Sequence, residues 1–178
     1  MFKKKILIVN YFLGIGGAEK YVFELTKFLV SHNIRPIIVI PNRKDQEFYD
    51  RLFEEQKVKV LRVDVCSFKI LLKNFDFRSI YWNILFRFLG NVFFTKVHFM
   101  NLVIADRYMP FFNISRKVLW HITNKIQYEG RRYTFRPEIF EDNSNLLVYI
   151  NKYQENEIHE SYNVKCREVH FKLILNDD

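Results

Sequence analysis

Between Lys5 and Ser31 the chain reads KILIVNYFLGIGGAEKYVFELTKFLVS, and no other stretch constrains the fold as much. It opens with Ile6-Leu7-Ile8-Val9, an apolar run too short for a helix and rich in β-branched residues, as expected of a strand buried on both faces. Gly14, Gly16 and Gly17 follow. From Ala18 onward the apolar residues Ala18, Tyr21, Val22, Leu25, Phe28 and Leu29 recur at the spacing of an amphipathic helix. Strand, glycine turn and helix form the unit in which the first N–H groups of a helix face a ligand. Glycine admits close backbone approach there, and the helix dipole favours an anion. The same turn also serves plain backbone geometry in α/β proteins, so structural context decides between the two uses.

The pattern continues. Ile37–Ile40 predicts a second strand, closed by Pro41-Asn42, and so completes a βαβ unit with a right-handed crossover. A dinucleotide fold places an acid at the end of that strand to hold a ribose. Here Pro41-Asn42-Arg43 stands in its place, which disfavours NAD. Residues 45–56 predict a helix capped by Asp45, and residues 58–63 a third strand near the sheet edge. Further strands are expected around residues 97–100, 117–121, 146–150 and 169–176, with helices near 105–112 and over 151–161, the latter capped by Asn151. These elements predict one α/β domain over residues 1–178, a doubly wound, mostly parallel sheet of about seven strands with helices on both faces.

The stretch from Ser67 to Phe94 is the least ordinary. Phe77, Ile80, Tyr81, Ile84, Leu85, Phe88 and Leu89 make one helical stripe, which reads as core. Lys69, Lys73, Arg78, Arg87 and Lys96 are scattered among the aromatics, and this mixture also fits an interfacial surface on anionic lipid. The net charge of +8 points to an anionic partner. Nothing matches a helix-turn-helix, a zinc finger or an RNP-type strand, so nucleic acid is not expected and a membrane surface is favoured.

No apolar run reaches the roughly 18 residues needed to cross a bilayer. Lys3-Lys4-Lys5 before ILIV imitates a signal peptide. However, Asn10 interrupts the apolar region and GGAEK is a poor cleavage site, so a cytoplasmic first strand is expected. Cys66 and Cys166 form no CxxC or Cys/His cluster, which predicts free thiols and no metal site.

Gly16-Gly17-Ala18-Glu19, followed by Val22, Leu25 and Phe28-Leu29, resembles the first βα unit of GT4-like glycosyltransferases of the GT-B fold. In that family the glycine loop lies at the cleft between two Rossmann-like domains, near the transferred sugar and the donor phosphate. The resemblance therefore implies a substrate and donor-phosphate loop made of Gly14, Gly16, Gly17, Ala18 and Glu19. Two later strands of the family end in patterns similar to VHxH and TxHD, each bringing a histidine to the cleft. Here they read Val97-His98-Phe99-Met100-Asn101 and Leu119-Trp120-His121-Ile122-Thr123-Asn124, so the second histidine of the first pattern is absent and Asn124 stands in place of the acid. The resemblance implies a catalytic role for His121, which falls at the carboxyl end of its strand, where such sheets bind ligands. It implies acceptor contacts at His98, Asn101 and Asn124. Arg131 and Arg132, in the polar loop after His121, are a further candidate contact for an acidic or lipid-phosphate acceptor, or else part of a solvated insertion.

The closing segment, Leu146–Ile150, a helix from Asn151 and then Val169–Asn176, is similar to the end of the family's N-terminal, acceptor-side domain. Asn176-Asp177-Asp178 stands where Asn-Gly-x-Asp would lead into the second domain. The resemblance implies a retaining enzyme that moves a sugar from a nucleotide-sugar to a glycan or lipid-linked acceptor in polysaccharide biosynthesis. It would use no cofactor and would work by holding substrates in line and stabilising the leaving diphosphate. The expected partner is a C-terminal donor-binding domain or a separate donor subunit. Without it the chain is expected to be inactive, and to lie in the cytoplasm or peripherally on the inner face of the membrane. A nonenzymatic anion-binding module of doubly wound fold is the alternative from another class.

Overall fold

The apolar runs become the strands of one sheet in the computed structural model, which describes residues 5–42, 45–74, 76–124, 126, 130 and 132–171. The strands are β1 (Lys5–Val9), β2 (Ile37–Pro41), β3 (Lys59–Val63), β4 (Phe94–Phe99), β5 (Lys117–His121), β6 (Leu146–Tyr149) and β7 (Arg167–His170). They pair in the order β3-β2-β1-β4-β5-β6-β7, and every pair is parallel. The central strands are buried on both faces, which is why Ile6–Val9 and Ile37–Ile40 are apolar at every position. The outermost strand, β7, is exposed along its whole length and reads Arg-Glu-Val-His, a charged edge that discourages further strand addition.

Two layers of helices sandwich the sheet. On one face α1 (Gly17–Ser31) and α2 (Phe48–Glu55) pack Val22, Leu29 and Phe53 onto Ile8, Ile38 and Ile40. The other face carries α3 (Phe68–Asn74), α4 (Phe77–Phe88), α5 (Gly90–Phe93), α6 (Leu102–Tyr108), α7 (Glu138–Glu141) and α8 (Lys152–Ser161). There Phe86, Ile104, Phe140 and Ile158 meet Leu7, Val9, Leu119 and Leu147. The fold is Rossmann-like and doubly wound. Successive strands run outward from β1 in one direction and from β4 in the other, so the order reverses between these two neighbours. In such sheets the crevice at that reversal is the ligand position.

Several boundaries differ from the sequence expectation. α2 starts at Phe48 with Glu47 as its cap, because Glu47 and Asp50 form a reciprocal capping box that Arg62 bridges at 3.1 and 2.5 Å. Asp45 plays no such part. β7 begins at Arg167, where it registers with Leu146, and Asn176 and Asp177 lie outside the described residues. In α1 the buried positions are Glu19, Val22, Thr26 and Leu29, while Phe28 points to solvent. Tyr133 and Phe135, read from sequence as part of a polar loop, are buried and stacked on each other, and Arg136 pairs with Asp106.

The largest correction concerns α4. Most of the stripe expected to be core is turned outward, with Phe77, Tyr81, Ile84, Phe88 and Leu89 exposed, while Leu85 of the same stripe is buried as expected. The inward face of the helix is Ser79, Asn83, Leu85 and Phe86. Polar bonding explains the inversion. The backbone that leaves β3 at Asp64 has no ladder partner, and α4 supplies one. Ser79 Oγ accepts from Asp64 N–H at 2.8 Å, and Asn83 Nδ2 donates to the Asp64 carbonyl at 2.7 Å. Rotating the apolar stripe inward would bury those backbone groups without partners, at about 1–3 kcal/mol each. Leu85 and Phe86 fill the apolar side, Phe86 fully buried against Phe94 and Phe112.

Among the described residues no helix is long and apolar enough to cross a membrane.

Candidate functional site

A cavity of about 590 Å³ opens at the carboxyl edge of the sheet, around the reversal between β1 and β4. The residues that follow four strands build it: Asn10 after β1, Asn101 after β4, Ile122–Asn124 after β5, and Ile150–Asn151 after β6. The opening turns of α1 and α8 close it with Gly17, Ala18, Glu19 and Gln154. Tyr11, Phe12 and Tyr21 supply an aromatic wall.

The polar lining is mostly amide. Asn101 caps α6 by accepting from Val103 N–H at 2.9 Å, and Asn151 caps α8 by accepting from Gln154 N–H at 2.9 Å. Gln154 is held at both ends, accepting from Ile150 N–H at 3.1 Å and donating to Asn124 Oδ1 at 3.2 Å. Carboxamide oxygens are thus used for scaffolding. The Nδ2 groups of Asn101 and Asn151 have no protein partner among the described residues. Among the described residues no lysine or arginine lines the cavity.

One charge is present. Glu19 is buried in the first turn of α1, where its carboxylate accepts from its own backbone N–H and from the Asn10 side chain. Burial raises its pKa above the ordinary carboxylate value; those two hydrogen bonds pull the other way, and nearby Glu47 adds to the rise. Gly16 makes room for this arrangement. Its backbone is extended, so a glycine is not needed for conformation, but a Cβ there would collide with the Glu19 carboxylate. Gly17 has open space where a side chain would stand.

The structure distributes the sequence candidates unequally. Gly17, Ala18, Glu19, Asn101 and Asn124 come together in the cavity wall. Gly14 and Gly16 shape the loop behind it without lining it. His121 is fully buried on the α8 side of the sheet and is not among the lining residues. Its Nε2 lies 3.0 Å from the Tyr133 hydroxyl, which donates to Glu157 at 2.8 Å, while its Nδ1 is buried without a partner among the described residues. Desolvation lowers its pKa to about 4, Glu157 opposing, and the imidazole is neutral at physiological pH. His98 faces the other side of the sheet, where its Nδ1 accepts from Trp120 Nε1 at 3.2 Å, and burial holds its pKa at about 4. Arg132 is exposed and does not line the cavity, and Arg131 lies outside the described residues.

Asn10, Thr123, Asn151 and Gln154 were not singled out as site residues from sequence. A signal for them exists: an asparagine follows each of β1, β4, β5 and β6 within three residues of the strand's last position. No protein-family model matches the sequence, and no curated protein matches it either.

Proposed function

We propose that this chain is the acceptor-side half of a retaining, GT4-like glycosyltransferase, which moves a sugar from a nucleotide-sugar to a glycan or lipid-linked acceptor. The observation that carries the reading is the amide-lined cavity at the strand-order reversal, entered by the first turn of the Gly16-Gly17-Ala18-Glu19 helix. Sugar hydroxyls both donate and accept. Neutral amides beside one carboxylate answer that pattern better than a cluster of cations would, and the aromatic wall of Tyr11, Phe12 and Tyr21 suits the apolar face of a sugar ring. In this reading Asn101, Asn124 and Asn151 orient the acceptor, and Glu19 accepts from one of its hydroxyls. The N–H groups of Gly17 and Ala18 face the donor phosphate at the helix start. The base, ribose and diphosphate of the donor are assigned to a second domain or subunit, and the chain sits peripherally on the inner face of the membrane.

Titration of the isotopically labelled chain with hexoses, disaccharides and a nucleotide-sugar, followed by amide NMR shifts, tests this. Sugars are expected to move the signals of Gly17, Asn101, Asn124 and Asn151, with no turnover of the nucleotide-sugar. Turnover by this chain alone, or sugar-induced shifts confined to residues outside the cavity, refutes the proposal.

A further inference from the structure

We propose that the outward face of α4, together with the adjoining surface of α3, is a docking surface for an anionic lipid bilayer. The inference rests on this surface alone and does not require the transfer reaction. Four large apolar side chains spaced as i, i+4, i+7 and i+11 share the solvent side of α4: Phe77 is 77% exposed, Tyr81 59%, Ile84 43% and Phe88 67%. Ile70 and Leu72 on α3 are also exposed, and Phe68 of α3 stacks on Phe88, so the two helices present one continuous surface. Scattered exposed apolar residues are ordinary; a contiguous helical face of them marks an interaction site.

The face does not arise from loose packing. Ser79 and Asn83 hold the opposite side of α4 to the Asp64 backbone, and Arg87 donates to the Cys66 carbonyl with its guanidinium over the rings of Phe68 and Phe111. The helix is locked in the orientation that exposes its aromatics.

Charge selects the occupant. From Val65 to Ala105 the chain carries five basic residues and one acid, Asp76, and Asp76 is engaged as the cap of α4. Lys69, Lys73 and Arg78 are exposed and have no acidic partner among the described residues. A second copy docking face to face would bring these cations against their own counterparts. An anionic bilayer instead accepts both components, the aromatic and aliphatic side chains at the acyl boundary and the basic side chains among the headgroups. Trp82, half-buried on the flank of α4 with Lys59 over its ring, is the tryptophan beside this face and serves as its reporter.

The experiment is sedimentation of the full chain with vesicles of phosphatidylcholine, with and without phosphatidylglycerol. Binding is expected to the anionic vesicles only and to weaken with salt. Lys69→Gln and Lys73→Gln should each lower partitioning about fivefold. Phe77→Ser/Tyr81→Ser/Phe88→Ser should abolish it while keeping the circular dichroism spectrum and a cooperative melting transition, whereas Phe28→Ser, on the opposite face of the sheet, should leave it unchanged. Independently of any variant, spin-labelled lipid should quench Trp82 and spare the buried Trp120. Absence of binding to anionic vesicles, or full binding by the triple variant, overturns the proposal. So does a vesicle-free dimer that the triple variant dissolves, which would assign the face to a second copy.

Discussion

Replacing Asn83 by alanine removes the amide that holds α4 in its inverted orientation. Asn83 Nδ2 donates to two carbonyls, the part-buried Asp64 at 2.7 Å and the buried Ser79 at 2.8 Å. Their losses are unequal. The Ser79 carbonyl still accepts the ordinary helical bond from residue 83, so little is forfeited there. The Asp64 carbonyl is left part-buried and loses its side-chain partner, a cost of about 1–3 kcal/mol. Truncation also removes Asn83 Oδ1, a buried oxygen with no partner among the described residues, and returns part of that cost. The net expectation is a destabilisation of about 2 kcal/mol, or a urea midpoint lower by roughly 1 M for a domain of this size. Ser79→Ala, which strands the Asp64 N–H, should cost a similar amount, and the double variant less than the sum, because both side chains hold one backbone segment. Equilibrium urea unfolding of the three variants measures this. Unchanged or raised stability in Asn83→Ala would refute the reasoning. It would mean that α4 turns its apolar stripe inward once the amide is gone.

Two pH effects follow from buried groups. Glu19 has a folded pKa raised by burial, so its contribution to stability is fully present below the unfolded carboxylate value and is lost as pH rises through the folded value. The melting midpoint of Glu19→Gln, relative to wild type, should therefore climb as pH increases through that window; a difference that stays flat or shrinks with pH would contradict it. His121 has the opposite sign. Its folded pKa of about 4 against an ordinary 6.5 means that the stability it contributes is present above 6.5 and lost as pH falls toward 4, on the order of 3 kcal/mol in all. Buried His98, also lowered to about 4, contributes over the same window, so acid unfolding followed in His121→Asn should lose about half of the slope between pH 6.5 and 4, and an unaltered slope would place the acid sensitivity elsewhere.

The sheet was legible because its signal is redundant. Ile6–Val9, Ile37–Ile40 and Leu146–Tyr149 are apolar at successive positions, as strands covered on both faces require, and the breaks between them carry glycine, proline or asparagine. α4 was misread for a physical reason. Helical periodicity states that one face is apolar and says nothing of which way it turns. The usual assumption that it turns inward failed because two polar residues on the other face, Ser79 and Asn83, met a backbone demand at Asp64, 15 and 19 residues before them and invisible without the tertiary structure. The burial of Glu19 follows similar logic: the acid expected in the substrate and donor-phosphate loop is buried in the first turn of α1, with its hydrogen bonds coming from its own N–H and Asn10.

The cavity illustrates a different limit. The glycine cluster directed attention to the start of α1, and histidine chemistry to His98 and His121, yet side-chain alternation along β4 and β5 sends the two histidines to opposite faces of the sheet. Neither can share a cleft with the other. What converges instead are polar residues just beyond β1, β4, β5 and β6, because these parallel strands end at the same edge and the chain must turn there toward the next helix. Asparagine suits that task, since it caps a helix with its oxygen and keeps its NH₂ group for another partner. One residue type at four strand ends therefore does two things, starting α6 and α8 through Asn101 and Asn151 and leaving their amide donors on the wall of the cavity. Capping and ligand recognition draw on different atoms of the same side chain, so a sequence can satisfy the fold at these positions without surrendering the site.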